Sequence, residues 1–352
     1  MVSPRPSSRL NAYSRTVSER VRAAVIGLGR MGAVHMAALR EVPEIEVVAI
    51  ADTRESVLDA AAYEHPHAVI HTDPATVLAA SGVEAVLLAT PTPTHPGLTA
   101  AALEAGKHVL CEKPLALDPA VSESLGSRAS AQNLILQVGY WRRFSAPWVA
   151  ARDTLATGRI GDPVLLRLSQ WDADPPPPEF CDPAVSGGLA VDCGVHEFDL
   201  ATWLTGRRPL AVFAHQLPGA DPAIAAAGDV ENLLVTVDLT GGAKVIVDLS
   251  RNARYGDDVR SEILGTDGAL FVDTLPAART RIGDGNGLTM LEGSQVDNAM
   301  LAGVQAQATA FAHAIRAGDE RYPDAFADAG AVQVANAAME SLRTGDSVRI
   351  SS

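Results

Sequence analysis

The sequence has few cysteines, no long apolar run and no block of basic residues, and each shortage excludes a class of protein. The three cysteines, Cys111, Cys181 and Cys193, show no Cys-x-x-Cys spacing, so neither a disulfide framework nor a structural zinc site is indicated. No apolar stretch reaches the roughly 20 residues that cross a bilayer, since the run at 83–90 is broken by Glu84. The net charge of -14 would repel a phosphate backbone. We therefore expect neither a membrane span nor a nucleic-acid partner.

The composition is typical of a globular protein with a large core. Apolar residues make up 47% of the chain, and its 352 residues exceed what one core usually holds, which predicts two domains. Residues 1–18 are rich in Ser, Arg and Pro but have no apolar segment and no twin arginine, so we interpret them as a disordered extension. Without an export signal or a disulfide pattern, a cytoplasmic location is expected.

Two patterns of candidate strands meet near residue 144 and predict an α/β protein. Residues 19–143 alternate short apolar runs with helix-like segments, which predicts a Rossmann dinucleotide-binding domain with a parallel sheet. Residues 144–352 carry longer candidate strands with hairpin-like turns at Gly241-Gly242 and Asp267-Gly268. They predict an α+β domain for substrate binding and oligomerisation, with a large, mainly antiparallel, open-faced sheet. The candidate strands are 21–26, 45–51, 68–71, 84–89, 107–111, 134–138, 163–170, 209–216, 230–239, 243–250, 258–264, 268–273 and 347–350, and the candidate closing helices are 298–317 and 325–343.

A glycine-rich turn follows the first candidate strand. Gly27, Gly29 and Gly32 stand between that strand and a helix, where they permit a tight turn, close approach of a phosphate and packing of the helix on the strand. The backbone of this turn can then face a pyrophosphate at the helix N-terminus. The predicted cofactor contacts of the turn are the three glycines with Leu28, Arg30 and Met31.

An acidic residue ends the second candidate strand. Asp52 lies twenty residues after Gly32, where a carboxylate accepts hydrogen bonds from the adenosine ribose and repels a 2′-phosphate. Arg54 could soften that repulsion. The pattern favours NAD over NADP.

Five further motifs occur in order along the chain. They are Ala-Thr-Pro-Thr-Pro-Thr-His at 89–95, Cys-Glu-Lys-Pro at 111–114, Gly-Tyr-Trp-Arg-Arg-Phe at 139–144, Ser-Gly-Gly at 186–188 and Asp-Cys-Gly-Val-His-Glu-Phe-Asp at 192–199. Over about residues 21–350 the chain resembles the Gfo/Idh/MocA oxidoreductases, a family that includes inositol 2-dehydrogenases. The resemblance implies NAD contacts from Thr90, Pro91, His95, Glu112 and Lys113, and a homotetramer or homodimer built on the open sheet.

Lys113, Asp192 and His196 are the candidate catalytic residues. Lys113 ends a parallel strand at the edge where such sheets bind ligands, although a solvated lysine would fit the tripeptide equally well. Asp192 and His196 are four apart, so helical spacing puts both on one face. A zinc site is not predicted because Leu200 stands where a second histidine would be needed. The resemblance implies that His196 is the general base, that Asp192 orients the substrate and that Lys113 stabilises charge on the substrate oxygen.

The remaining candidates concern the substrate. Trp171 could stack on a sugar ring, and Asp172 or Asp174 could bind hydroxyls or an amine, although simple solvation of this loop is the alternative. The resemblance also implies substrate contacts from Arg143 and Tyr255.

Three functional hypotheses follow. The first is an NAD-dependent dehydrogenase that oxidises a secondary hydroxyl of a cyclitol or sugar, with myo-inositol as the default substrate. The second keeps this chemistry on an aminocyclitol, aminoglycoside or other sugar derivative, which the acidic loop would suit. The third is a non-catalytic dinucleotide-binding regulatory protein.

Overall fold

The computed structural model describes residues 20–173, 175–274, 279–318 and 322–350. The predicted extension at 1–18 and the candidate Asp174 lie outside these ranges. The described chain forms a six-stranded sheet followed by a nine-stranded sheet. This arrangement confirms the predicted α/β fold.

The first sheet is parallel throughout, in the order β3-β2-β1-β4-β5-β6. Every residue of β4 is buried, as expected for a strand covered by helices on both faces. The strand order reverses between β1 and β4, so a crevice opens at their carboxyl ends. The strands are β1 (Val21–Ile26), β2 (Ile45–Ala51), β3 (Val69–His71), β4 (Ala85–Leu88), β5 (His108–Cys111) and β6 (Leu136–Val138). The helices are α1 (Arg30–Leu39), α2 (Glu55–Glu64), α3 (Pro74–Ala79), α4 (His95–Glu104) and α5 (Pro119–Ala131), with a 3-10 turn at Thr92–Thr94.

The second sheet has the order β14-β13-β12-β11-β7-β10-β9-β8-β15 and is antiparallel except where β7 pairs with β10. Burial alternates along its strands, so one face packs on helices and the other stays open. The strands are β7 (Pro163–Trp171), β8 (Pro209–Leu217), β9 (Asn232–Leu239), β10 (Lys244–Ser250), β11 (Asp258–Gly265), β12 (Ala269–Asp273), β13 (Arg279–Asp284), β14 (Gly287–Met290) and β15 (Val348–Arg349).

Sequence patterns missed the hairpin of β13 and β14. Its turn is made of glycine, aspartate and asparagine, and β14 has only four residues, so the alternation of Leu288 and Met290 is too short to predict a strand. The predicted turns at Gly241-Gly242 and Asp267-Gly268 do join β9 to β10 and β11 to β12. Both expected hairpins are therefore confirmed.

Helices of the second half pack on both sheets. They are α6 (Ala146–Ala156), α7 (Pro178–Cys181), α8 (Pro183–Ser186), α9 (Gly188–Asp192), α10 (Gly194–Thr205), α11 (Pro222–Ala226), α12 (Ala299–Ala317) and α13 (Ala325–Thr344), with 3-10 turns at Trp141–Phe144 and Thr240–Gly242. Helix α12 returns to the first sheet, where Phe311 shares a core with Val25 and Met36. Helix α13 packs against α5, α10 and β8. The boundary at 143/144 stays a prediction. No helix in the described ranges is long and apolar enough to cross a membrane.

Candidate active site

A cavity of about 1090 Å³ opens at the carboxyl ends of β1 and β4 and extends to the second sheet. It brings together most of the residues predicted from the sequence. Those that line it are Gly27, Gly29, Arg30, Met31, Asp52, Arg54, Thr90, Pro91, His95, Glu112, Lys113, Asp172, Asp192 and His196.

The glycine turn has the backbone geometry that a pyrophosphate site requires. Gly27 has φ +94°, and a Cβ there would lie 2.5 Å from the Ala89 carbonyl oxygen. A Cβ on Gly32 would lie 2.1 Å from the Gly27 carbonyl oxygen, so only glycine lets α1 sit this close to the turn. A Cβ on Gly29 would meet nothing within 4 Å, so the space beside the start of α1 is open. This cradle fits a dinucleotide phosphate.

Asp52 is fixed just beyond the end of β2. Its carboxylate accepts hydrogen bonds from the Leu28 backbone N–H at 2.7 Å and from the Arg54 guanidinium at 2.9 Å. The hydrogen bond from Arg54 lowers the pKa of Asp52 to about 2. Asp52 is therefore a permanent anion at the cavity wall. The Leu28 N–H is engaged by this carboxylate, so the phosphate-facing donors must be later in the turn.

A buried pair joins α1 to the strand that leads to Lys113. His35 Nε2 lies 2.7 Å from Glu112 Oε1, and both side chains are buried. Burial acts to raise the pKa of Glu112, but the hydrogen bond and charge of His35, with the charge of Lys113, hold it below its ordinary value. Sequence reasoning missed His35, which looks like any other helix residue.

His95 connects two backbone segments of the cavity wall. Its Nδ1 lies 2.7 Å from the Pro114 carbonyl oxygen and its Nε2 lies 2.8 Å from the Thr90 carbonyl oxygen. The Lys113-Pro114 bond is cis. With both ring nitrogens facing the backbone, His95 shapes the cavity and has no free nitrogen for a ligand.

Lys113 and Asp192 meet where the two sheets approach each other. Lys113 Nζ donates to the Asp192 backbone oxygen at 2.5 Å and lies 3.5 Å from its Oδ1. Asp192 Oδ2 accepts from Arg251 Nη1 at 2.7 Å. Burial opposes ionisation of Asp192, yet the charges of Lys113 and Arg251 keep its pKa below the ordinary value. Arg251 was not predicted from the sequence.

His196 lies in the first turn of α10 and is only 6% exposed. Asp192 is the last residue of α9, and Cys193 separates α9 from α10. Asp192 and His196 therefore both line the cavity although they lie on different helices. His196 packs edge-on against Tyr140 and Trp141, and its Nδ1 has no hydrogen-bond partner among the described residues. Burial, with the charges of Arg142 and Lys113, lowers its pKa well below 6.5. The imidazole is therefore neutral near pH 7 and able to accept a proton.

Asp172 is placed among the cavity residues as predicted. Its Oδ1 accepts from Gln170 Nε2 at 3.1 Å, and its Oδ2 lies 3.1 Å from Cys193 Sγ. Asp257 also lines the cavity, and its Oδ1 accepts from the Ala173 backbone N–H at 2.8 Å. Two carboxylates thus face the end of the cavity nearest the second sheet.

Arg143 was predicted as a substrate contact, but it points away from the cavity. Its Nε donates to Asp199 Oδ2 at 2.8 Å. Arg142 lines the cavity in its place, paired with Glu197 and Gln170. Neighbouring residues of a 3-10 turn project about 120° apart, so the sequence could not tell which arginine faces inward.

Trp171 and Tyr255 also differ from their predicted places. Trp171 lies on the open face of the second sheet, where its Nε1 donates to Asp248 at 2.5 Å and its ring lies under Arg260. The side chains of a strand alternate, so Trp171 must face away when Gln170 faces the cavity. Tyr255 is 65% exposed and donates to Asp258, outside the cavity lining.

Fold and site together define an oxidoreductase of the class that uses a nicotinamide dinucleotide. Residues 21–140 match an oxidoreductase family with an NAD-binding Rossmann fold, and residues 148–271 match the GFO/IDH/MocA C-terminal domain. The chain belongs to the Gfo/Idh/MocA family, which confirms the resemblance drawn from its motifs.

Relatives in this family act on inositols. The chain is 34% identical over 260 residues to scyllo-inositol 2-dehydrogenase (NAD(+)) of Bacillus subtilis, covering 74% of this chain and 75% of that protein. It is 36% identical over 263 residues to myo-inositol 2-dehydrogenase of Thermotoga maritima, covering 72% and 76%. The crystal structure of scyllo-inositol dehydrogenase from Lactobacillus casei, with bound NAD(H) and scyllo-inositol, superposes with a TM-score of 0.82 at 26% identity, covering 94% and 99%.

Proposed function

We propose that this protein is an NAD-dependent dehydrogenase that oxidises a secondary hydroxyl of a cyclitol, such as an inositol, or of a related sugar to the ketone. The observation that carries the proposal is the meeting of Lys113, Asp192 and His196 in the cavity that begins at the glycine turn. Similarity to inositol dehydrogenases supports the substrate class.

NAD fits the cofactor end of the cavity. The turn from Gly27 to Gly32 and the start of α1 would hold the pyrophosphate, and Asp52 would accept hydrogen bonds from the adenosine ribose. Asp52 would repel a 2′-phosphate, and its bidentate pairing with Arg54 engages that guanidinium. NAD is therefore favoured over NADP. Bound NAD supplies the acceptor for the hydride that leaves the substrate carbon.

The residues at the substrate end of the cavity accept the hydroxyl proton and stabilise the charge that develops on the substrate oxygen. His196, neutral at pH 7, accepts the hydroxyl proton through the ring nitrogen presented to the substrate. Lys113 donates a hydrogen bond to the substrate oxygen as negative charge develops there. The Asp192 backbone oxygen, 2.5 Å from Nζ, holds the Lys113 ammonium in place, and the Asp192 carboxylate balances the charge of the imidazolium once it forms. Arg142 and Asp172 are available to orient the remaining hydroxyls.

NADH formation with a panel of substrates tests this proposal. We expect saturable NAD reduction with myo-inositol or scyllo-inositol, and a much lower rate with NADP. Tight NAD binding without turnover on any cyclitol or sugar would contradict the proposal and favour the non-catalytic regulatory protein.

An aminocyclitol or amino sugar is a second candidate substrate. Asp172 and Asp257 face the substrate end of the cavity, and a substrate ammonium would pair with either carboxylate. Saturation with an amino sugar but not with inositols would select this candidate. Asp172→Asn should then raise KM for the amine far more than KM for a neutral cyclitol.

The open face of the second sheet suggests self-association. Leu165, Ile246 and Leu264 lie on this face and are partly or largely exposed, together with Phe271 on the next strand. Such a surface suits burial against a second copy of the chain. We propose a homotetramer or homodimer, which analytical ultracentrifugation will distinguish from a monomer. The three free, buried cysteines agree with the cytoplasmic location proposed for the protein.

A further inference from the structure

Arg251 directly follows β10 and connects Asp192, which lines the cavity, to a second carboxylate, Asp229. Its Nη1 donates to Asp192 Oδ2 at 2.7 Å, and its Nη2 donates to Asp229 Oδ2 at 3.1 Å. The residue is 1% exposed, and its backbone N–H is bound to the Glu231 carbonyl oxygen at 3.0 Å. We infer that Arg251 is a positioning residue for the proposed dehydrogenase reaction, holding Asp192 in the orientation that leaves Lys113 available to substrate. This inference rests on the proposed function.

The two oxygens of Asp192 are shared between two cations. Oδ2 is held by Arg251 at 2.7 Å, whereas Oδ1 lies 3.5 Å from Lys113 Nζ. The Lys113 ion pair is thus loose, and its ammonium keeps donor capacity for a substrate oxygen. Without Arg251, the freed carboxylate would rotate and close on Lys113. A close ion pair would withdraw the ammonium from the substrate and weaken charge stabilisation in the transition state.

Arg251 also stabilises the short helix that carries Asp192. Asp229 Oδ1 accepts from the Leu189 backbone N–H at 2.9 Å, in the first turn of α9. A Cβ on Gly188 would come within 2.8 Å of the same oxygen. Arg251 therefore holds α9 at both ends, through Asp229 at its start and Asp192 at its close. Two cations and two carboxylates balance within this cluster, which limits the cost of burying them.

Geometry, and not charge alone, explains why an arginine is found here. A planar guanidinium can donate hydrogen bonds to two carboxylates at once, whereas a lysine ammonium is a single point charge. Arg251→Lys keeps the charge but can hold only one of Asp192 and Asp229. Arg251→Gln removes the charge as well. Arg207→Gln is the matched control, because Arg207 is also largely buried and ion-paired, but its partners are Asp162 and the Pro163 carbonyl oxygen instead of Asp192 and Asp229.

Steady-state kinetics and NAD titration test the inference. We expect Arg251→Gln to lower kcat by about 100-fold, the effect of a misplacement near 1 Å, with the dissociation constant for NAD almost unchanged. Arg251→Lys should recover part of this loss, and Arg207→Gln should behave as wild type. In an Asp192→Asn background, Arg251→Gln should add little, because Arg251 acts through Asp192. Wild-type kcat in folded Arg251→Gln, or losses that multiply in the double variant, would overturn the inference.

A structural readout separates this inference from the proposed function. The crystal structure of Arg251→Gln should show the Asp192 carboxylate moved toward Lys113. An unmoved Asp192 would overturn the inference whatever the activity. Inactivity of the wild-type protein on every substrate would instead contradict the proposed function. If Arg251→Gln does not fold, both measurements are made on Arg251→Lys, where a structure in which neither Asp192 nor Asp229 has moved would overturn the inference.

Discussion

Replacing His196 with alanine should remove the proposed proton acceptor and leave NAD binding intact. The imidazole packs against Tyr140 and Trp141, and within the described ranges no group bonds to its Nδ1, so its loss leaves no partner of Nδ1 unpaired. The variant should therefore fold. A general base contributes about 10² to 10⁴ in rate, which corresponds to about 3 to 5 kcal/mol of transition-state stabilisation.

The pH profile gives the same prediction a second readout. Burial lowers the pKa of His196 well below 6.5, so the wild-type kcat/KM should rise with pH through a value below 6.5 and then level off. This acidic limb should be lost in His196→Ala. The assay is NADH formation across pH, with NAD affinity measured by titration and with the exposed His67 replaced by alanine as the control. A His196→Ala protein that reduces NAD at the wild-type rate would refute the assignment.

Three further predictions concern the cofactor and the core. Asp52→Ala should weaken NAD binding and raise the relative kcat/KM with NADP, because the repulsion of a 2′-phosphate is removed; an unchanged NAD to NADP ratio would contradict this. Gly32→Ala should abolish NAD binding in a titration, since its Cβ would lie 2.1 Å from the Gly27 oxygen, and wild-type affinity would exclude that clash. Burial raises the pKa of Asp328 from 3.8 to about 6, so this group favours the folded state at low pH and loses that effect as pH rises through 6. Relative to Asp328→Asn, the unfolding free energy of wild type should fall by up to about 3 kcal/mol between acid and neutral pH, measured by urea denaturation.

Local patterns predicted the glycine turn and the place of Asp52 at the end of the second strand. The glycine spacing and Asp52 depend on one strand, one turn and one helix, and neighbouring residues in sequence remain neighbours in space. The alternation of strands also predicted both sheets, because burial on one face leaves a periodic apolar pattern. The β13–β14 hairpin was not predicted because its second strand is short and buries no side chain.

Contacts between residues far apart in the sequence could not be predicted from local patterns. His35 and Glu112 are 77 residues apart, and Arg251 reaches Asp192 across 59 residues. Nothing near Arg251 in the sequence distinguishes it from a surface arginine at the end of a strand. Its role follows only from burial between two carboxylates.

The sequence by itself determined that the chain binds a dinucleotide, that it has two kinds of sheet and that Lys113, Asp192 and His196 belong together through the family motifs. Only the tertiary structure decided which side chains face the cavity. It turned Arg142 inward and Arg143 outward, and it put Trp171 on the open face of the second sheet. The physical reason is that the direction of a side chain depends on how its turn or strand packs against the rest of the molecule, and residue type alone does not specify that packing.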